Sequence, residues 1–246
     1  MTQGSYFVEY NRALTKDVRE MRLLGDTSAI TAPGQFVNIQ LDGLFLRRPI
    51  SVCDWDSEGL IMIYKVVGKG TAALGGAAPG AKLDVLCGLG NGFDVSRCGG
   101  RTLVIGGGVG TPPMYGLAKA LLKAGKTPIA ILGFNTREEI FCEDRFRELG
   151  IGTTVTTVDG SWGTRGFVTD ALPEDYDYFC ACGPGPMLKA VYSAAKTSGL
   201  LSFEERMGCG FGACMGCSCK TKYGSKRICK DGPVLEKEEI IWQTHG

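Results

Sequence analysis

The residues best suited to chemistry in this chain are cysteines near its C-terminal end. Cys209, Cys214 and Cys217 stand in a C-x4-C-x2-C run, and Cys229 follows after a short polar loop. That spacing is the one plant-type iron–sulfur proteins use to hold a [2Fe-2S] cluster with four thiolates. A compact anionic core needs a chain wrapped tightly around it, with backbone N–H groups turned toward its sulfurs. Gly208, Gly210, Gly212, Ala213 and Gly216 fill the intervening positions, and such small residues permit the wrap. The same cysteines admit two other readings. A structural zinc site usually takes two separated CxxC pairs or adds histidine, and the one histidine is His245, next to the last residue. A disulfide framework suits small secreted chains, and neither the length of 246 residues nor the first ten, which lack a basic-then-apolar signal, fits that class. Cys219 is a fifth candidate ligand and reads as a spare.

Two further constellations have the chemistry of a dinucleotide cradle. Arg48, Pro49, Ile50 and Ser51, preceded by Arg47, begin a strand with guanidinium groups and then offer a hydroxyl. An arginine can clamp a pyrophosphate, and the serine could bond the reactive edge of a flavin. The same residues also fit an exposed basic turn. About twenty residues on, Ile63, Tyr64 and Lys65 lead to Gly68, Lys69, Gly70 and Thr71, where glycines enter a short helix and expose N–H groups to an anion. Alone, that stretch could be a tight turn with a helix cap.

A third constellation begins at residue 103. Leu103, Val104 and Ile105 form an apolar strand that meets Gly106, Gly107, Gly108, Val109, Gly110 and Thr111, and a helix opens with Pro112 and Pro113. Strand, glycine loop and helix start in that order place a pyrophosphate on a helix N-terminus. It is not a strict GxGxxG, and plain packing between strand and helix explains the glycines equally well.

These residues must be positioned by elements, and the chain supplies enough of them. With 44% hydrophobic residues and 27 basic against 26 acidic side chains, the chain can bury a core and should hold two domains plus a small appendix. No eighteen-residue apolar run marks a membrane span. A near-neutral balance gives no reason to expect nucleic acid, and eleven cysteines without export suit reduced thiols and metal work in the cytoplasm. The expected class is α+β multidomain: an antiparallel β-barrel over 1–98, an α/β parallel-sheet nucleotide domain over 99–200, and a small C-terminal cluster segment over 201–246. Apolar or alternating runs at 6–10, 18–24, 36–41, 50–53, 60–67 and 83–86 are the barrel strands, separated by turn residues such as Pro33-Gly34. Strands at 128–133, 153–158 and 176–181 alternate with helices at 138–149 and 186–197. The loops at 106–113, 133–137, 159–163 and 182–187, the last holding Cys182, Gly183 and Pro184, fall at the carboxyl ends of these strands and suit one shared cleft.

Taken together, RPIS, GKGT, GGGVGTPP, DGSWGTRGFVTD and CGPGPM resemble the ferredoxin–NADP reductase superfamily. With the cysteine run added, the whole chain resembles the electron-transfer subunits of B-type dihydroorotate dehydrogenases. The resemblance implies FAD in the barrel, held by Arg48, Pro49, Ile50, Ser51, Ile63, Tyr64, Lys65, Gly70 and Thr71. It implies NAD at Gly106, Gly107, Gly108, Gly110, Thr111 and Pro112, with Cys182, Gly183 and Pro184 bordering the nicotinamide. Cys209, Cys214, Cys217 and Cys229 would ligate the irons. No catalytic acid or base is required, because the cofactors carry the redox chemistry. The implied partner is an FMN-bearing catalytic subunit in a heterotetramer of two plus two. The implied role is electron passage from that FMN through the cluster and FAD to NAD in pyrimidine (UMP) biosynthesis.

Two departures from the superfamily pattern stand out. Ile50 replaces an aromatic that would stack on the flavin, which leaves Tyr64 as the expected substitute, and Cys87-Gly88 occupies a turn where glycine and proline are expected. Asn135 and Arg137 could receive a 2′-phosphate, whereas Glu138 and Glu139 favour NAD. Phe211 and Met215 beside the cysteines are expected to form a docking face. A ferredoxin–NAD(P) or sulfide-linked flavoprotein reductase subunit would share this layout, and a zinc-bearing, nucleotide-sensing module is the reading from another class.

Overall fold

The computed structural model describes residues 1–242, so His245 lies outside the described residues. Its first part is a closed antiparallel barrel. The strands are β1 (Thr2–Ala13), β2 (Val18–Leu24), β3 (Phe36–Gln40), β4 (Arg48–Trp55), β5 (Gly59–Lys65) and β6 (Lys82–Leu89), with helix α1 (Lys69–Gly75) between the last two. They pair in the order β1-β2-β5-β4-β3-β6. Period-two alternation fills the interior: Met21 and Leu23 from β2, Val37 and Ile39 from β3, Leu60, Met62 and Tyr64 from β5. The intervening residues face outward, which is where the barrel meets everything else. All six expected strands form; β1 runs well beyond 6–10 because its exposed polar residues still pair with β6 from Thr2 onward.

The second part is an α/β layer. It comprises β7 (Thr102–Gly107), α2 (Thr111–Lys123), β8 (Ile129–Phe134), α3 (Glu143–Glu148), β9 (Gly152–Thr157), β10 (Thr164–Arg165), β11 (Tyr178–Cys182), α4 (Gly185–Ala194) and β12 (Gly199–Ser202). After these come the hairpin β13 (Ser218–Thr221) and β14 (Gly224–Arg227), the short α5 (Ile228–Asp231), and β15 (Val234–Glu236). The large sheet has the order β10-β9-β8-β7-β11-β12-β15. The chain runs outward from β7 to β10, then returns to lay β11 on the other side of β7. The strand order therefore reverses between β7 and β11, the position where open α/β sheets bind ligands.

Three expectations need correction. The helix expected over 138–149 is broken: Arg137–Glu139 form a single 3-10 turn, Ile140 is extended, and Cys142 takes a left-handed conformation with φ 64 before α3 begins. The break turns Phe141 into the core, edge-on to Phe134 with centroids 5.3 Å apart. The C-terminal segment is more than an appendix, since β15 pairs antiparallel with β12 as a strand of the nucleotide sheet. Tyr64 cannot supply an aromatic for flavin stacking. Its ring lies inside the barrel, 2% exposed, and its hydroxyl donates to Asn11 Oδ1 at 3.1 Å.

The two layers are pinned together. Helix α2 lies on β4, with the backbone at Gly116 against the Cys53 carbonyl and Lys119 paired with Asp54 at 2.5 Å. Glu20 of β2, fully buried, accepts from Arg145 of α3 at 2.6 Å and from Tyr10 at 2.7 Å.

Candidate functional site

The cluster loop is built from the fold described above. Cys209 and Cys214 form one pair: Cys209 N–H donates to Cys214 Sγ at 3.4 Å, and the Ala213 and Cys214 N–H groups donate to Cys209 Sγ at 3.2 and 3.4 Å. Cys217 and Cys229 form the other, with Cys229 N–H donating to Cys217 Sγ at 3.4 Å and both residues buried. Among the described residues no three Cys, His, Asp or Glu converge as they would on a single ion. Two thiol pairs are what a cluster of two irons, each taking two protein sulfurs, asks of a chain.

Burial opposes ionisation of Cys209, but the surrounding backbone N–H groups outweigh it and bring the thiol down to about 6. Burial and the neighbouring Cys217 push Cys229 up to about 12. The donor set fits an anionic iron–sulfur core, because the N–H groups already point at sulfur. Cys219 sits on β13 opposite Lys226 of β14, half-buried against the core and outside both pairs.

Specific anchors hold this loop. Arg227 donates to the Gly212 carbonyl at 3.0 Å while its guanidinium clasps Asp231 at 2.9 Å. Asn91, in the turn after β6, accepts from Val234 N–H at 3.1 Å and donates to the Val234 carbonyl at 2.8 Å. Cys87 and Gly88, expected in a turn, belong instead to the end of β6, and it is the following turn, through Asn91, that fastens the barrel to the C-terminal segment. Asn38 of β3 donates to the Cys209 carbonyl at 3.2 Å. Neither asparagine stood out in the sequence, because each acts through the tertiary fold and belongs to no local motif.

At the start of β4 the two expected flavin motifs meet. The Arg48 guanidinium lies directly over Gly70 at the start of α1, where a β-carbon would overlap it. Ser51 and Pro49 are half-buried on the same strand. Thr71 accepts from the Val67 and Gly68 N–H groups at 2.9 and 3.3 Å, which sets the turn into α1. Lys65 is paired with Asp17 at 2.9 Å, and Ile63 is buried toward the nucleotide domain. A guanidinium spread over exposed backbone suits a pyrophosphate. A groove of about 1030 Å³ lies elsewhere, between Trp55, Phe93 and Lys123, and touches none of these residues.

At the sheet's switch point the two glycine loops touch. Gly110 packs on the Cys182 carbonyl, and Gly107 on Met187. Helix α2 opens with Pro112 and Pro113, which carry no N–H, and the Thr111 N–H donates to the Gly108 carbonyl, so what the uncapped start presents is its positive dipole end and the Thr111 side chain. The Thr111 hydroxyl is buried without a partner. An orphaned donor at an uncapped helix start suits a bound phosphate. Burial and the charge of Glu204 push the Cys182 thiol up to about 12, so it stays neutral. Arg137 is stacked on Trp162 at 4.7 Å, and Glu138 and Glu139 bond the loop that carries it.

A flavin-type barrel, a parallel sheet with a phosphate-binding switch point, and a cysteine loop against the barrel define a reductase of the ferredoxin–NADP reductase fold. Comparison with known proteins agrees. Residues 104–193 match the oxidoreductase NAD-binding domain, and residues 204–241 match the iron-sulfur cluster binding domain of dihydroorotate dehydrogenase B. The chain is 43% identical to the dihydroorotate dehydrogenase B (NAD(+)) electron transfer subunit of Geobacillus sp. (strain WCH70), over 98% of this chain and 99% of that one. It is 45% identical to the subunit of the same description from Fusobacterium nucleatum, over 95% and 96%. The chain belongs to the family of dihydroorotate dehydrogenase B electron transfer subunits.

Among solved structures, the NADH-dependent reduced ferredoxin-NADP oxidoreductase of flavin-based electron bifurcation contains a chain 32% identical, with TM-score 0.88, covering 96% of this chain and 90% of that one. A ferredoxin NADP+ reductase from Neisseria gonorrhoeae, 15% identical with TM-score 0.69, shares the fold over 79% of this chain and 90% of its own. The iron–sulfur domain match removes the zinc-bearing sensor reading. The described helices include none long and apolar enough to cross a membrane.

Proposed function

We propose that this chain is the electron-transfer subunit that takes electrons from the FMN of a dihydroorotate-oxidising partner and delivers them to NAD in pyrimidine (UMP) biosynthesis. One observation carries this reading: β4 lies between the thiol loop, reached through its neighbour β3, and α2, whose N-terminus opens on the switch point. When bound, a nicotinamide exchanges a hydride, an iron–sulfur cluster one electron, and FAD either, which requires the flavin in the middle.

The chain's own residues bind and orient. Arg48 and the Gly68–Thr71 backbone would hold the FAD pyrophosphate, and Ser51 would bond the isoalloxazine edge, with Pro49, Ile50, Ile63, Tyr64 and Lys65 shaping the strands beneath. Thr111 and the backbone from Gly106 to Pro112 would receive the NAD pyrophosphate, with Cys182, Gly183 and Pro184 closing the nicotinamide side. Cys209 with Cys214, and Cys217 with Cys229, would each take one iron. Residues 1–98, 99–200 and 201–246 would be the flavin, nucleotide and cluster units. NAD rather than NADP fits the stacked Arg137 and the acidic Glu138 and Glu139 around it. The working assembly would be a cytoplasmic heterotetramer of two plus two.

Co-purification with native partners tests the reading. An FMN-bearing partner should come through, and the complex should reduce NAD with dihydroorotate. A complex with no FMN subunit, or one inert to dihydroorotate, points to the second reading, favoured by the 32% identical bifurcating-reductase chain: a ferredoxin-linked reductase subunit.

A further inference from the structure

The outer face of the barrel carries one side chain that touches both redox neighbourhoods. Asn38 of β3 is 1% exposed. In the antiparallel ladder it stands directly opposite Pro49, and Phe36 opposite Ser51, while Val37 and Ile39 point into the barrel. Directly opposed residues share a face, so Asn38 lies on the face of the proposed flavin strand that also bears Pro49 and Ser51.

From there its Nδ2 donates to the carbonyl of Cys209, the first iron ligand, at 3.2 Å. The loop has shaped itself around this amide. Gly210 takes φ +80, and a β-carbon there would overlap Asn38 Nδ2. The Asn38 backbone is itself held, its carbonyl accepting from Arg47 at 3.3 Å, and Arg47 is paired with Asp84 at 2.8 Å. The other end of the amide is unused: Asn38 Oδ1 is buried and has no hydrogen-bond partner. A buried acceptor without a donor is costly, so this one marks a place where a donor arrives with a ligand.

We propose that Asn38 is a positioning residue that ties the cluster to the flavin. Its Nδ2 fixes the Cys209 carbonyl, and its Oδ1 accepts from an N–H or O–H of the bound flavin. The inference rests on the cofactor assignment given under Proposed function. The chemistry explains the residue type. Leucine of similar size has neither donor nor acceptor, and aspartate keeps the acceptor, loses the donor and adds a negative charge beside an anionic core. Outer partners of metal ligands tune both retention and potential, since hydrogen bonding near the sulfurs sets the reduction potential.

The test uses the purified holo-subunit and its Asn38→Leu and Asn38→Asp variants. The readouts are the electron paramagnetic resonance spectrum and midpoint potential of the reduced cluster, and the rate of cluster reduction after mixing with NADH. Asn38→Leu should change the spectrum and slow cluster reduction by about tenfold or more. Asn38→Asp should also alter the cluster signal while keeping wild-type flavin absorption; it serves alone if the leucine variant does not fold. Wild-type spectrum, potential and rate in the foldable variants would overturn the role of Asn38 and leave the cofactor assignment standing. A wild-type subunit with no iron–sulfur signal would overturn both.

Discussion

At the scale of single residues, Gly70 gives the sharpest test of the flavin cradle. A methyl group there would overlap the Arg48 guanidinium, so Gly70→Ala must displace either Arg48 or the start of α1. A hydrogen bond to a charged group is worth about 1.5–3 kcal/mol, and about 1.4 kcal/mol is tenfold in affinity. The expected outcome is FAD binding weakened roughly 10- to 100-fold, measured by flavin titration of the stripped protein, with the cluster spectrum unchanged. Undiminished affinity would show that the pyrophosphate sits elsewhere. The cysteine spacing and the RPIS and GKGT stretches were legible in sequence because each packs its chemistry into one short window. Tyr64 follows the parity of its strand: with Leu60 and Met62 in the barrel core, a residue two further along points the same way, away from any flavin on the outer face. Asn38 and Asn91 were not legible, because their partners lie 171 and 143 residues away.

At the scale of elements, the angle between barrel and sheet depends on β2 meeting α3. Glu20 is 1% exposed in its side chain and bridges Arg145 at 2.6 Å and Arg12 at 3.2 Å. Burial raises the Glu20 carboxyl, but Arg145, Tyr10 and Arg12 outweigh it and leave it below its ordinary value of 4.5. A carboxylate depressed in the folded state stabilises at pH values above its unfolded pKa. That contribution is lost as pH falls through the lower folded value. Removing one partner of a buried pair costs about 3–5 kcal/mol, so Glu20→Gln should lower the Tm at pH 7 by roughly 10 °C. The gap between variant and wild type should shrink in acid, as read by calorimetry at a series of pH values; a gap independent of pH would assign Glu20 to packing alone. The sequence signalled the alternation of strands and helices, whose periods change visibly at residue 103. It did not signal the break at Cys142, where a non-glycine residue is held at φ 64 by the packing of Phe141. Strand β15 was equally silent: three residues following a proline carry no periodicity of their own, and their pairing is with a strand more than thirty residues earlier.

At the scale of the whole molecule, the arrangement demands a port for electrons exchanged with another protein. The glycine loops of the sheet meet at its switch point, while the thiol loop sits against β3, beside the proposed flavin strand, so on the proposed function electrons entering from another protein arrive beside the cysteines. That surface has the right character: Cys214 is exposed, and Phe211 and Met215 next to it are 43% and 55% exposed. Large apolar side chains left in water beside a redox centre suit a protein partner better than solvent. Met215 is held at φ 61, so its outward pose belongs to the loop that carries the ligands. The family's electron transfer subunits are named as parts of a larger enzyme, which supplies the occupant: the catalytic subunit. Replacing Phe211 with Asp and Met215 with Glu together should abolish co-elution with that subunit on a sizing column, since apolar anchors at an interface centre carry most of its binding energy. The same variant should keep its cluster spectrum and its NADH-dependent reduction of an artificial dye, because neither side chain ligates iron or lines the nucleotide loops. If the complex still assembles with these charges in place, the two side chains only cover the cluster, and the partner must approach it from another side.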